Sequence, residues 1–249
     1  MSLFIYFPTQ GDHRTDPASR LQVPPGLGTL CRVETWRLLK SPPASAAMNM
    51  AVDEALLRHA TERTQPLLRL YSWEQPAVSF GYFQKFPTHL TGSYAIVRRP
   101  TGGGIVYHVH DTTYTVVVPP GHALYRMSTS EAYRVLHQAV AGALALHSQI
   151  AGEKSAAPRG QYECFQNPVQ GDVVAEGEKL AGGAQRRGKW GMLHQGSIAT
   201  QVTGVKLQEA FRRAFGIEFQ SYALSTAERE LAGQLAAEKY ATAAWNHRL

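Results

Sequence analysis

Cysteine is scarce in this chain: Cys31 and Cys164 are the only two among 249 residues. Two cysteines can form one bridge, but they exclude a disulfide-built scaffold, which a chain of this length does not need. Together with scattered histidines they give no metal-ligand spacing, so no metal site is expected. Long hydrophobic runs are missing as well; nothing approaches the ~20 apolar residues of a membrane span. The opening MSLFIYFPTQGD has no basic segment ahead of an apolar run. The sequence therefore reads as a cytoplasmic protein without a signal peptide or membrane association. Also absent are a phosphate loop ending in Gly-Lys-Ser/Thr, a GxGxxG fingerprint and a GxSxG nucleophile elbow. No internal repeat or low-complexity tract occurs.

What is present suffices for a core: 44% of residues are hydrophobic and 18% charged. Lys and Arg number 25 against 19 Asp and Glu, a formal charge of +6 that suits an acidic partner. An acidic carrier protein, a phosphate or an anionic cofactor would serve equally. Nucleic acid is not expected, because no aromatic–basic RNA motif or helix-turn-helix signature appears.

Residues 1–30 are rich in Pro, Gly and polar residues and read as an irregular arm, leaving 31–249 as one domain. Residues 46–63 and 128–149 have the composition and spacing of helices, with Asn49 and Ser128 or Ser130 as candidate caps. Strands are predicted over 31–39, 66–74, 76–84, 94–100 and 105–120, and a Gly-rich meander over 171–202. Two amphipathic helices close the chain, the second capped by Ser225 or Thr226. Without regular βαβ alternation, the pattern predicts an α/β (α+β) fold of mixed, largely antiparallel sheets flanked by helices.

Three chemical candidates stand out. In RRPTGGGIVYH, Arg98 and Arg99 precede Gly102, Gly103 and Gly104. Successive glycines can turn backbone N–H groups toward an anion, or simply make a tight turn. In ECFQNPVQGDVVAEGEKLAGGAQRR, Cys164 sits in a polar stretch ahead of Lys179, Gly182 and Gly183. Taken alone, Cys164 reads equally as a small buried residue or as a nucleophile activated by nearby positive charge. Lys179 reads as a solvated loop charge or as a lysine reaching a ligand held against small neighbours. Among the histidines, His108 and His110 would share one strand face, which could make part of a site, though a structural or solvent role is favoured. His194, followed by Gly196 and Ser197, is the more suggestive one.

The order of NMAVDEALL, LRLYSWEQPAVSFGYFQ, AIVRRPTGGGIVYH, DTTYTVVV, GEKLAGGAQRR and LHQGSI, ending in AAEKYATAAWN, resembles the biotin/lipoate A/B protein ligase superfamily. That resemblance implies a catalytic domain like those of class II aminoacyl-tRNA synthetases and biotin–lipoate ligases. Two branches are in play. Lipoate–protein ligases activate lipoate as its adenylate with ATP and Mg. Octanoyltransferases instead take octanoate from acyl-carrier protein through a cysteine thioester. Both deliver to a lysine of a lipoyl-domain protein, such as the glycine cleavage H protein or a 2-oxoacid dehydrogenase E2. The Cys164-Phe165 pair ahead of Gly-Glu-Lys-Leu resembles the octanoyltransferase branch, which needs no cofactor. A degenerate, non-catalytic member is the third alternative. The sequence departs from the family pattern at three points. Gly102-Gly103-Gly104 stands where the transferases often have Gly-Gly-Arg and the ligases have three glycines. The usual His-Asp pair reads His108-Val109, and the late motif reads His194-Gln195-Gly196-Ser197, with histidine one position early.

On the octanoyltransferase reading the resemblance implies Cys164 as nucleophile and Lys179 as base or electrostatic donor. Backbone N–H groups near Gly102–Gly104 or Gly182–Gly183 would stabilise the oxyanion. Tyr82, Phe83 and Ile105 would wall the acyl pocket, with His194 beside it. Arg98 and Arg99 would meet the carrier or acceptor. All these groups lie on one chain, so a monomer would suffice.

Overall fold

The computed structural model describes residues 33–144, 148–152 and 169–249. The expected arm over 1–30, Cys31 and Cys164 lie outside the described residues.

The elements follow the hydrophobic patterning closely. β1 (Thr35–Lys40) leads into α1 (Ala46–Arg58), followed by β2 (Leu67–Tyr71), β3 (Ala77–Phe80) and β4 (Ala95–Arg98). β5 (Ile105–His108) and β6 (Thr112–Val118) come next, then the short α2 (Ala123–Arg126) and the long α3 (Thr129–Leu144). The expected meander is β7 (Gln149–Ile150), β8 (Val173–Ala175), β9 (Glu178–Gly188) and β10 (Gly191–Ile198). α4 (Gly204–Phe215), β11 (Glu218–Ser221), α5 (Thr226–Leu235) and α6 (Ala243–Asn246) complete the chain.

Eight strands form one sheet in the order β11-β1-β2-β6-β10-β9-β8-β7, and β4-β3-β5 form a second, smaller sheet. β1 runs parallel to both of its neighbours and β3 runs parallel to β4. The remaining pairs are antiparallel. The mixed, largely antiparallel architecture is as expected.

Two apolar layers hold the large sheet between helices. On one face Trp36, Tyr114, Val116 and Met192 pack with Leu136 and Val140 of α3 and Leu207 and Phe211 of α4. On the other, Leu67, Val117 and Leu193 pack with Met50, Ala51 and Leu56 of α1 and Leu235 of α5. The alternation of side chains along each strand distributes β6 and β10 between both layers.

Two local expectations are corrected. The cap of α1 is Ser45, whose hydroxyl accepts from Met48 N–H at 3.2 Å. Asn49 is instead fully buried: its amide donates to Ala44 and Ser72 carbonyls, and its Oδ1 accepts from Arg69 at 2.8 Å. The stretch 105–120 is not one strand but two, assigned to different sheets and broken by a bend at Val109–His110. His108 therefore ends β5 as a buried residue while His110 is exposed, and the two share no strand face. The caps at Ser128 and Ser225 are found: Ser128 Oγ accepts from Glu131 N–H, and Ser225 with Glu228 forms a capping box.

Candidate active site

A pocket opens where the small sheet meets β9 and β10. Its apolar wall is Met50 of α1, Tyr71 of β2, Trp73, Val106 of β5 and Ala184 of β9. Its polar groups are Ser79, Arg99, His108, Thr113, Gln195 and Ser197, and Gly182, Gly183 and Gly196 complete the lining. Few convergent polar groups in a mainly apolar hollow make a ligand site.

The cavity floor is pinned by Asp53. Its fully buried carboxylate accepts from Arg69 (2.7 Å), Thr115 (2.8 Å), Gln195 (2.7 Å) and Tyr71 (3.3 Å). Gln195 in turn takes the Thr101 hydroxyl at 2.7 Å, tying the glycine loop to β10 and α1. Sequence reading missed Asp53, Thr101 and Gln195, because they meet only when β10 packs beneath the loop.

The glycine loop is held from within. The Arg99 guanidinium, 5% exposed, donates to Gly102, Gly104 and Ser79 carbonyl oxygens at 2.8–3.0 Å. Gly103 has φ +87°, and its carbonyl oxygen would lie 1.9 Å from a Cβ placed on Gly81. The loop thus lies flat on Gly81. Arg98 points elsewhere. It is fully buried and donates to the carbonyls of Tyr82, Gln84, Trp245 and Asn246 at 2.6–3.1 Å. The expected role of Arg98 and Arg99 in meeting a carrier or acceptor surface is corrected: both are interior clamps.

The expected acyl wall is corrected too. Ile105 lies in a separate cluster with Val78, Phe80 and Leu90, on the face of the small sheet opposite Val106. Phe83 is 79% exposed and Tyr82 packs against Trp245 and Arg248, so neither lines the cavity. Strand parity explains Ile105, since neighbours along β5 face opposite ways.

Lys179 is delivered to the cavity edge. It is nearly inaccessible and its ammonium lies 2.7 Å from Asp172, which is fully buried. A Cβ on Gly182 would come within 2.6 Å of Lys179 Nζ, so the ammonium lies directly over that cavity-lining glycine. The Tyr133 hydroxyl lies 2.6 Å from Asp172 Oδ1 and accepts from the Gly183 N–H at 2.9 Å. Gly183 N–H is thereby engaged, and not turned to an oxyanion as expected.

His194 faces away from the cavity. It is fully buried beneath β9 and β10, 3.2 Å from Tyr114 Oη and edge-on to His137. Burial, helped by His137, pushes its pKa well below the ordinary histidine value, so it is neutral. The one-position shift in HQGS thus puts Gln195 in the cavity and histidine in the core, a correction to the expected substrate contact.

On the cavity side stands His108, for which the sequence favours a structural or solvent role over part of a site. His108 stacks on Trp73 with ring centroids 4.1 Å apart. Its Nε2 lies 2.8 Å from Ser79 Oγ and its Nδ1 2.8 Å from Asp111 Oδ2. Asp111 Oδ2 also accepts the hydroxyls of Thr113 (2.9 Å) and Ser197 (2.7 Å). Burial pushes the Asp111 carboxyl up, but His108 and these hydrogen bonds outweigh it, and its pKa is lowered overall.

The model of the lipoyl protein ligase A/B catalytic domain matches residues 45–232. The chain is 33% identical to the octanoyltransferase LipM of Kyrpidia tusciae, with 87% of this chain and 100% of that protein covered. It is 30% identical to the octanoyltransferase LipM of Bacillus subtilis, with 86% and 99% covered. Among solved structures, a bipartite lipoate protein ligase studied with its E2 lipoyl domain, from Thermoplasma acidophilum, superposes with a TM-score of 0.68. That likeness has 24% identity over 86% of this chain and 96% of that one, and it speaks to the fold.

Proposed function

Because the chain belongs to the lipoyl protein ligase A/B catalytic-domain family, we propose that it transfers octanoyl groups from acyl-carrier protein to the lysine of a lipoyl-domain protein. The observation that carries this reading is similarity to two octanoyltransferases along nearly their whole lengths. The cavity supports it. An apolar hollow suits a saturated acyl chain, whose burial is worth roughly 0.8 kcal/mol per CH₂. Chain length is then discriminated by how many methylenes the hollow accepts.

In this mechanism Cys164 attacks the carrier thioester. The acyl carbon–sulfur bond to the carrier breaks, a new one forms to Cys164, and the carrier leaves as its thiol. The acceptor amine then attacks the acyl-enzyme, and the amide forms as Cys164 departs. Lys179, ion-paired with Asp172 against Gly182, acts as a fixed positive charge that stabilises the oxyanion of both steps. No cofactor is required. The glycine cleavage H protein and the lipoyl domain of a 2-oxoacid dehydrogenase E2 fit as acceptors.

Intact mass spectrometry after incubation with octanoyl carrier protein tests the reading. A hydroxylamine-labile octanoyl adduct is expected on the wild-type protein and not on Cys164→Ala. Absence of the adduct, with lipoate-dependent ATP–pyrophosphate exchange that survives Cys164→Ala, would overturn it in favour of ATP- and Mg-dependent ligation.

A further inference from the structure

The acceptor lysine arrives as an ammonium, and an ammonium has no lone pair with which to attack. Something in the cavity has to take a proton. Lys179 is ill placed, because its amine is held in a buried contact with Asp172 at 2.7 Å. His194 and His137 are fully buried in the α3-facing core and kept neutral there by burial. Among the described residues that line the cavity, one histidine is left, His108.

We propose that Ser79, His108 and Asp111 form a proton relay that deprotonates the acceptor amine in the second acyl transfer, an assignment that rests on the octanoyltransferase reading above.

The geometry has the polarity this needs. β3 and β5 pair with Ser79 opposite Val106 and Ala77 opposite His108, so Ser79 and His108 are diagonal neighbours on one sheet face. That face is the cavity face, where both side chains are lining groups. Asp111 accepts two hydroxyl hydrogen bonds besides that of His108 and, when ionised, has no proton of its own to donate. It therefore holds the proton of the neutral imidazole on Nδ1 and leaves Nε2 as an acceptor for the Ser79 hydroxyl, 2.8 Å away. Arg99 Nη1 donates to Ser79 Oγ at 3.2 Å, which fixes the oxygen and stabilises negative charge on it. The relay is also connected to the acyl-transfer edge. Ser197, which donates to Asp111, is the direct β10 partner of Gly182, against which Lys179 lies.

The proton balance closes. The ammonium gives its first proton to Ser79 Oγ as the Ser79 proton passes to His108 Nε2. The freed nitrogen pair forms the N–C bond, the C–S bond of the thioester breaks, and the second nitrogen proton goes to the departing thiolate. His108 returns its proton to solvent. Ser79 touches the reacting amine; His108 and Asp111 act through it and are positioning residues.

The experiment isolates the second transfer. Wild type, Ser79→Ala, His108→Gln and Asp111→Asn are charged with octanoyl carrier protein, and discharge of the adduct is timed with a lipoyl-domain acceptor and, separately, with hydroxylamine. Hydroxylamine is largely unprotonated at neutral pH and needs no base. Discharge to the acceptor is expected to slow about 100-fold in Ser79→Ala and His108→Gln, within the usual range for general base catalysis. Discharge to hydroxylamine is expected to slow less than threefold. Equal slowing with both nucleophiles means a structural role and overturns the relay, as does acceptor discharge at the wild-type rate in Ser79→Ala and His108→Gln. A variant that takes up no adduct is replaced by Ser79→Thr, which keeps the hydroxyl and is expected to restore acceptor discharge; failure to do so also counts against the relay. Failure of the wild type to form an adduct at all is a different outcome, which removes the octanoyltransferase reading itself.

Discussion

At the scale of single residues, the glycines around the cavity do different jobs, and substitution separates them. A Cβ on Gly81 would meet the Gly103 carbonyl oxygen at 1.9 Å, backbone against backbone. A Cβ on Gly182 would meet Lys179 Cε at 2.4 Å and Nζ at 2.6 Å, the far end of a flexible side chain. Gly81→Ala is therefore expected to lose roughly 3 kcal/mol or fail to fold, the upper end of overpacking costs. Gly182→Ala is expected to stay within about 1 kcal/mol of wild type yet lose at least tenfold in acyl transfer, because Lys179 must leave its place. Thermal unfolding with adduct formation checks both; a fully active Gly182→Ala would show that the position of Lys179 over this glycine does not matter. Arg98 gives the opposite lesson. The sequence marks it as a functional candidate beside Arg99, but a fully buried guanidinium serving four carbonyls is a structural joint between β4 and the C-terminal segment.

At the scale of elements, α3 carries an acid-sensitive joint. Its His137 is fully buried, donates Nδ1–H to the Gly171 carbonyl at 2.7 Å, and leaves Nε2 without a partner among the described residues. Burial lowers its pKa from 6.5 to about 4, against the opposing pull of Asp172. Between those values the unfolded chain takes up a proton that the folded chain refuses. Stability is therefore present above about pH 6.5 and lost as pH falls toward 4, by roughly 3 kcal/mol over the whole window. Urea midpoints at pH 7 and pH 4.5 are expected to fall less in His137→Gln than in wild type; an equal fall would assign the acid loss to other groups. The elements themselves were legible because their cause is local. α1, α3, α4 and α5 follow helical periodicity, and Ser225 with Glu228 announces its cap. The stretch 105–120 reads as one strand because alternation specifies a strand but not the sheet it joins.

At the scale of the whole molecule, the formal charge of +6 bears on partner encounter and not on the fold. Arg58 and Arg186 act electrostatically on Lys239, with Glu54 paired to both Lys239 and Arg58, and Lys189 and Arg248 add positive charge over Trp190 and Tyr82. On the proposed octanoyltransferase reading an acidic donor domain would be steered by such a field, and salt screens it with a Debye length of about 10 Å at 0.1 M. Raising sodium chloride from about 0.05 to 0.5 M is expected to lower kcat/KM for octanoyl carrier protein about tenfold while leaving kcat within twofold. A salt-independent kcat/KM would remove electrostatic steering from the account. Among the described residues no helix is long and apolar enough to cross a membrane.

By itself the sequence determined the fold class, most element positions and the family, because periodicity, caps and motif order act over short distances along the chain. It also singled out Lys179 and the glycine loop. Only the tertiary structure decided which side chains share the cavity. Ser79 meets His108 across 29 positions, Thr101 meets Gln195 across 94, and Arg98 meets Asn246 across 148. The sorting of Val106 into the cavity and Ile105 out of it, or of Gln195 toward Asp53 and His194 toward Tyr114, is a matter of strand parity and of what lies above each face. Those contacts follow from packing two sheets and their helices together, and no local pattern in the chain encodes them.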